Sequence, residues 1–359
     1  MKSNFEFLNR YWPALAQIGA AAESYVYSDA NACLYKLGMF GERLILEIFA
    51  FEHIKEPTID NTHSNRIRLL KREGLIPKKI DDILYALRKT RNDAVHAGAD
   101  SIEDAKTLLS MTYNLAVWFM EVYGDWGFIA PEFVMPEDVV QPDYAAIIKA
   151  QEDQIAELSK QVAAVSTAAS SKTAKERADK AETASESMEL SEAETRYLID
   201  EQLRKYGWEA DTNNLRYSKG TRPQKGRNLA IAEWPTDSVV SKNGYADYAL
   251  FIGLKLVAVV EAKKAAIDIP SVIDHQCKEY AKGIKSEHNE FIIRHWGGYK
   301  VPFVFATNGR KYLKQIETKS GIWYLDLRNG ANAPKALQGW ISPQGLMEQL
   351  EKDIDAANA

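Results

Sequence analysis

The chain has 359 residues, 46% of them hydrophobic, with eight tryptophans and a net charge of −5. That length exceeds one ordinary core and predicts two folded domains, and its only cysteines, Cys33 and Cys277, fit reduced thiols and exclude a cysteine zinc site. No apolar stretch approaches twenty residues and Glu6, Asn9 and Arg10 make the N-terminus amphipathic, so a cytoplasmic protein with no membrane partner and no signal peptide is expected.

Residues 1–144 read as a helical bundle domain. Leu34, Leu37, Phe40, Leu44, Ile45 and Ile48 form one stripe between Asn31 and His53, and Ser101-Ile-Glu-Asp104 has the form of a capping box opening a helix through Tyr123. Pro57, Pro77 and Gly98 supply turn signals between helices. One string there suggests chemistry, Arg91-Asn-Asp-Ala-Val-His96. It resembles the Arg-x4-His element of HEPN bundles, in which paired arginine and histidine cleave RNA without metal. That resemblance implies Arg91 and His96 as an RNase site, against the simpler reading that both bond to neighbouring helices.

Residues 145–190 read as a linker. From Ala145 to Arg196 there is no proline, glycine or aromatic residue, a composition that cannot build a core. Ile148, Ile155 and Val162, with Leu158 and Val165, give an a/d pattern too short for a coiled coil. A partly helical, exposed tether is expected.

Residues 191–359 change to mixed elements and predict an α/β domain with a central mixed sheet. Ser191 caps an expected helix through Tyr206, with Glu194 in its first turn. Strands are expected near Trp208, in a hairpin over 244–264, and around Val301–Ala306 and Gly321–Asp326, with a helix carrying Gln276 between them. Leu256–Val260 is a continuous aliphatic run, the pattern of a strand covered on both faces. A lone carboxylate at its end would cost several kcal/mol in desolvation, by order of magnitude. Yet Glu261 stands there, Lys263 points to the same side, and a three-residue connection Gly253-Leu254-Lys255 would set Asp247 opposite Glu261. Two carboxylates and an ammonium then converge. Such oxygen ligands suit Mg²⁺, and the lysine suits a water attacking a phosphodiester.

Asp247, thirteen residues, then Glu261-Ala-Lys263 resembles the PD-(D/E)xK nuclease family, with Ala246 where that family often has proline. Gln276 and Tyr280 resemble the Gln-x-x-x-Tyr element of the endonuclease domain in R subunits of type I restriction enzymes. Further matches are Leu190-Ser-Glu-Ala-Glu194-Thr-Arg-Tyr-Leu-Ile-Asp, Arg216-Tyr-Ser-Lys-Gly-Thr-Arg-Pro, Ala230-Ile-Ala-Glu-Trp-Pro235, Thr318-Lys-Ser-Gly-Ile-Trp-Tyr324 and the opening Met1-Lys-Ser-Asn-Phe-Glu-Phe-Leu. The resemblance implies Asp247 and Glu261 as metal ligands, Lys263 as the residue that positions water, and Gln276 and Tyr280 as residues that orient DNA or the lysine. Glu194 lies where related nucleases sometimes add a carboxylate. It also implies double-stranded DNA as substrate and the methylation and specificity subunits as partners.

The charge is uneven: residues 191–359 hold 24 Lys and Arg against 21 Asp and Glu, +3, which leaves 21 against 29, −8, for residues 1–190. Arg216, Lys219, Arg222, Lys225 and Arg227 form a basic loop that reads either as a DNA-backbone clamp or as a solvated surface. No Gly-Lys dipeptide exists from which a phosphate loop could be built, so the ATP-driven motor of such subunits is expected to be absent. The expected activity is a Mg²⁺-dependent DNA endonuclease. The alternatives are a noncatalytic module docking on the methyltransferase core, and the RNase.

Overall fold

A computed structural model describes residues 3–55, 62–97, 99–137, 173–237, 244–263, 269–309 and 320–358. The heptad pattern of 148–165 and the turns at Pro57 and Gly98 lie outside the described residues. The chain divides into two units, Met1–Glu189 and Leu190–Ala359.

The first unit is helical: α1 Pro13–Tyr25, α2 Ala30–Phe51, α3 His63–Arg72, α4 Lys78–Ala97 and α5 Ile102–Phe119. The stripe from Leu34 to Ile48 is its core, at most 1% exposed. Asp29 caps α2 by accepting from Ala32 N at 2.9 Å, and Ser101 caps α5 by accepting from Asp104 N at 3.2 Å.

The described end of the expected tether departs from expectation. Ala174–Ser187 is a helix, α6, opened by a capping box between Thr173 and Glu176. It packs into the first unit: Arg177 holds Glu52 through Nε at 2.6 Å and Nη2 at 2.5 Å, and the Ala181 carbonyl accepts from Trp118 Nε1 at 3.1 Å. Composition hid this packing. Arg177, Ala181 and Ala184 form one buried stripe at helical spacing, in which alanines allow close approach and an ion pair supplies what large apolar side chains usually do.

Among the described residues of the second unit, seven strands form one mixed sheet in chain order: β1 Glu209–Ala210, β2 Asn228–Pro235, β3 Tyr245–Ile252, β4 Lys255–Ala262, β5 Phe303–Thr307, β6 Ile322–Asp326 and β7 Lys335–Leu337. β1/β2 and β4/β5 are parallel and the other pairs antiparallel. Helices cover both faces. Helix α7, Glu192–Lys205, and α9, Pro343–Asn358, place Ile199, Leu203, Leu346 and Leu350 on Tyr248, Val260 and Phe305. On the other face, Pro270–Val272, Ile273–Cys277 and Lys278–Lys282 run on as α8, with a π turn in the middle. Its Ile273, Cys277 and Tyr280 cover Ile231, Ala249 and Val259. Leu256–Val260 is fully buried, as a strand sandwiched between helices must be.

The hairpin reaches the expected register by another route. The turn has two residues, Gly253 and Leu254, between the paired Ile252 and Lys255, and Gly253 adopts φ 58°, the left-handed value such a turn needs. A bulge between Leu250 and Phe251 then restores the missing residue, with Leu250 facing Ala258 and Tyr248 facing Val260. Val257 and Ala258 consequently both face the α7 side.

Candidate active site

Extending the register by one residue places Asp247 beside Glu261 at the ends of β3 and β4. Both are buried, at 8% and 4% exposure. Their carboxyl groups are close enough that each perturbs the titration of the other. Asp247 Oδ2 accepts from Ala262 N at 2.7 Å and Oδ1 accepts from Arg196 Nη2 at 2.7 Å. Glu261 Oε1 accepts from Lys263 Nζ and from Gln276 Nε2, the latter at 2.7 Å. The structure thus brings together the two acids and the lysine that the strand pattern predicts.

Electrostatics marks the pair as strained in charge. Burial, then the charge on Asp247, pushes the Glu261 carboxyl from 4.5 up to about 7, with Lys263 pulling it back. Burial likewise raises the Asp247 carboxyl, against the pull of Arg196. Two buried carboxylates this close hold a proton between them or take up a cation. Among the described residues there is no metal-holding cluster of three or more His, Cys, Asp or Glu. The donor chemistry nonetheless fits a hard divalent ion, since Mg²⁺ is bound through one or two carboxylates and keeps water or phosphate in its other positions.

Gln276 and Tyr280 support the acids from α8. The Gln276 amide donates to the Tyr280 hydroxyl at 2.6 Å as well as to Glu261. Tyr280 is 1% exposed, so it braces Gln276 from beneath and presents no surface to DNA. Gln276 sits within the π turn, a distortion frequent at functional sites. Glu194 is buried, and its Oε2 accepts from Ser191 N at 2.7 Å in the capping box of α7. One of its carboxylate oxygens thus serves the helix N-terminus.

The five basic loop residues do not form one clamp. Arg216 lies by the acids, its Nη1 at 3.1 Å from Glu233 Oε2. Arg227 is at the opposite end of β2, six residues from Glu233 and roughly 20 Å away at strand rise, paired with Glu209 at 2.6 Å. Arg222 stacks on the Tyr217 ring at 3.7 Å and donates to the carbonyls of Tyr217 and Thr221. Lys219 and Lys225 are exposed.

In the first unit, Arg91 pairs with Glu42 at 2.5 Å and lies over the Tyr35 ring at 5.3 Å. A Cβ at Gly38 would stand 2.3 Å from that of Arg91, so α4 is seated closely on α2 at this point. Arg91 is thereby held against α2 by Glu42 and Tyr35. The backbone of His96 lies in α4, while its side chain is outside the described residues.

Two residues beside the acids, Arg196 and Glu233, have no role in the sequence reading. Arg196 shares the buried stripe of α7 with Ile199 and Leu203, and an arginine on an apolar stripe is itself a signal that a carboxylate awaits it. Glu233 carries no such signal.

Comparison with known proteins adds the lineage. The family described as "Type I restriction enzyme EcoKI endonuclease subunit second domain" matches residues 209–350, and a domain of unknown function matches residues 20–164. The Type I restriction enzyme EcoKI endonuclease subunit of Escherichia coli (strain K12) is 32% identical over an alignment of 432 residues, which covers 99% of this chain. The chain spans 37% of that relative's length. No solved structure matches it. Homologous along nearly its whole length to the EcoKI subunit, the chain belongs with the endonuclease subunits of type I restriction enzymes and carries their second domain in its C-terminal unit.

Proposed function

We propose that the C-terminal unit is a PD-(D/E)xK-type endonuclease domain that hydrolyses phosphodiester bonds of double-stranded DNA with Mg²⁺. One observation carries this reading: two buried carboxylates, Asp247 and Glu261, meet at the ends of adjacent strands, with Lys263 and Gln276 both on Oε1 of Glu261. Asp247 and Glu261 would hold the ion, which when bound supplies a positive charge for the phosphate oxygens. Lys263 holds the attacking water and offsets negative charge as it develops on the scissile phosphate. Gln276 fixes the Glu261 carboxylate from α8, with Tyr280 locking the amide in place. The second-domain match and the homology to a restriction endonuclease subunit support the same chemistry.

In a whole restriction complex, methylation and specificity subunits would choose the DNA and ATP-driven translocation would license the cut. The RNase alternative loses support from the pairing of Arg91 with Glu42. Asp247→Ala is expected to abolish Mg²⁺-dependent DNA cleavage by the 359-residue chain, while His96→Ala leaves it unchanged. The opposite pattern would reject the nuclease reading, and a chain that binds the methyltransferase core yet cuts nothing under any condition would mark it as a docking module.

A further inference from the structure

The candidate acids are not the end of the charged row at this end of the sheet. β2 pairs with β3 as Ala232 with Tyr248 and Trp234 with Ala246, so Glu233 lies beside Asp247 just as Glu261 does on the other flank. Glu233 adopts φ 53°, a left-handed backbone that a non-glycine strand residue holds only when its surroundings force it. The carboxylate so placed is engaged on both oxygens, with Arg196 Nη1 at 3.2 Å from Oε1 and Arg216 Nη1 at 3.1 Å from Oε2.

Arg196 completes a fork. Its side chain is 9% exposed, with Nη1 on Glu233 and Nη2 on Asp247 at 2.7 Å, and its backbone carbonyl accepts from the Tyr248 hydroxyl at 3.3 Å. Glu192 also lies 3.0 Å from Nη2, but it is 74% exposed and its contribution is screened by water. Asp247 is consequently gripped on Oδ1 by Arg196 and on Oδ2 by the Ala262 N–H, two donors from different elements. A carboxylate fixed at both oxygens has one orientation, the one beside Glu261. A planar guanidinium can serve two acids at once in this way, whereas a lysine ammonium cannot hold the same fork.

We propose that Arg196 and Glu233 are positioning residues of the site: Glu233 aims the Arg196 guanidinium, and Arg196 sets the Asp247 carboxylate for a divalent ion. This rests on the nuclease reading above. Neither residue touches the reacting atoms, and both act through Asp247. The strain at Glu233 is what places its carboxylate within reach of Arg196 and Arg216 together.

The test measures Mn²⁺ affinity of the full 359-residue chain by electron paramagnetic resonance, alongside thermal melting, for wild type and for Arg196→Lys, Glu233→Gln, Glu192→Gln and Asp247→Asn. Arg196→Lys keeps the charge and loses the fork, so Mn²⁺ affinity is expected to fall about tenfold, the usual effect of losing an outer-shell partner. Glu233→Gln is expected to fall in the same direction, Glu192→Gln to match wild type, and Asp247→Asn to lose the ion. With DNA, Arg196→Lys lowers kcat and leaves KM unchanged, a split that mere loosening of α7 would not produce. Wild-type Mn²⁺ affinity in both Arg196→Lys and Glu233→Gln, with binding lost in Asp247→Asn, overturns the proposal alone. Undiminished binding in Asp247→Asn, or none in wild type, overturns the nuclease reading and this proposal with it. If Arg196→Lys fails to fold, Glu233→Gln decides.

Discussion

Glu261→Gln exposes the charge balance of the site most sharply. In the folded chain burial and Asp247 lift this carboxyl from 4.5 to about 7. The sign follows directly: the native state keeps the proton that the unfolded chain gives up, so stability present at low pH is lost as pH rises from about 4.5 through about 7. Above that window the ion-free fold carries a forced charge, costing on the order of 3 kcal/mol at 1.36 kcal/mol per pH unit. A glutamine has no such cost. Its oxygen can still accept from Lys263 and Gln276, and its amide can donate to Asp247, so the variant replaces repulsion with a hydrogen bond. Without divalent ions at pH 8, Glu261→Gln is expected to melt roughly 5–10 °C above wild type. At pH 5 the gap should nearly close. Adding Mg²⁺ at pH 8 should raise the wild-type midpoint and leave the variant unmoved, since the ion stabilises only the state that binds it. Thermal unfolding followed by circular dichroism at the two pH values reads all of this. A variant that is less stable than wild type at pH 8, or a gap independent of pH, would refute the reasoning.

Two further outcomes probe other parts of the molecule. Arg177→Ala removes one partner of an ion pair whose side chains are 9% and 2% exposed, so the first unit should lose roughly 3 kcal/mol and melt several degrees lower; a midpoint within 1 °C of wild type would contradict the packing of α6. The double variant Lys219→Ala, Lys225→Ala removes the two exposed lysines of the basic loop, and the slope of log affinity for duplex DNA against log salt should flatten by about 2. An unchanged slope would mean that the loop does not meet the phosphate backbone.

What could be read in the sequence was what depends on alternation and on desolvation. The aliphatic run ending in Glu261 announces a buried strand with a charge that needs a partner, and hairpin parity then finds Asp247, even though the real turn is one residue shorter and a bulge makes up the difference. Gln276 and Tyr280 are marked by their resemblance to the Gln-x-x-x-Tyr element, whose spacing puts them on one helix face, and they do meet on α8. The arrangement around them was not legible. Arg216 and Arg227 are eleven positions apart in one basic stretch, yet β2 separates them along its length, because a charge count carries no direction. Glu233 reaches its place only through a left-handed backbone, which its side chain does not advertise. The helix α6 hides its packing in alanines and one buried arginine, where composition suggests solvent.

The most direct measurement is the anomalous difference density of a crystal of this chain soaked in Mn²⁺. A peak between the carboxylates of Asp247 and Glu261 is the expected result. Manganese bound elsewhere, with these two acids left bare, would contradict the assignment of the metal site.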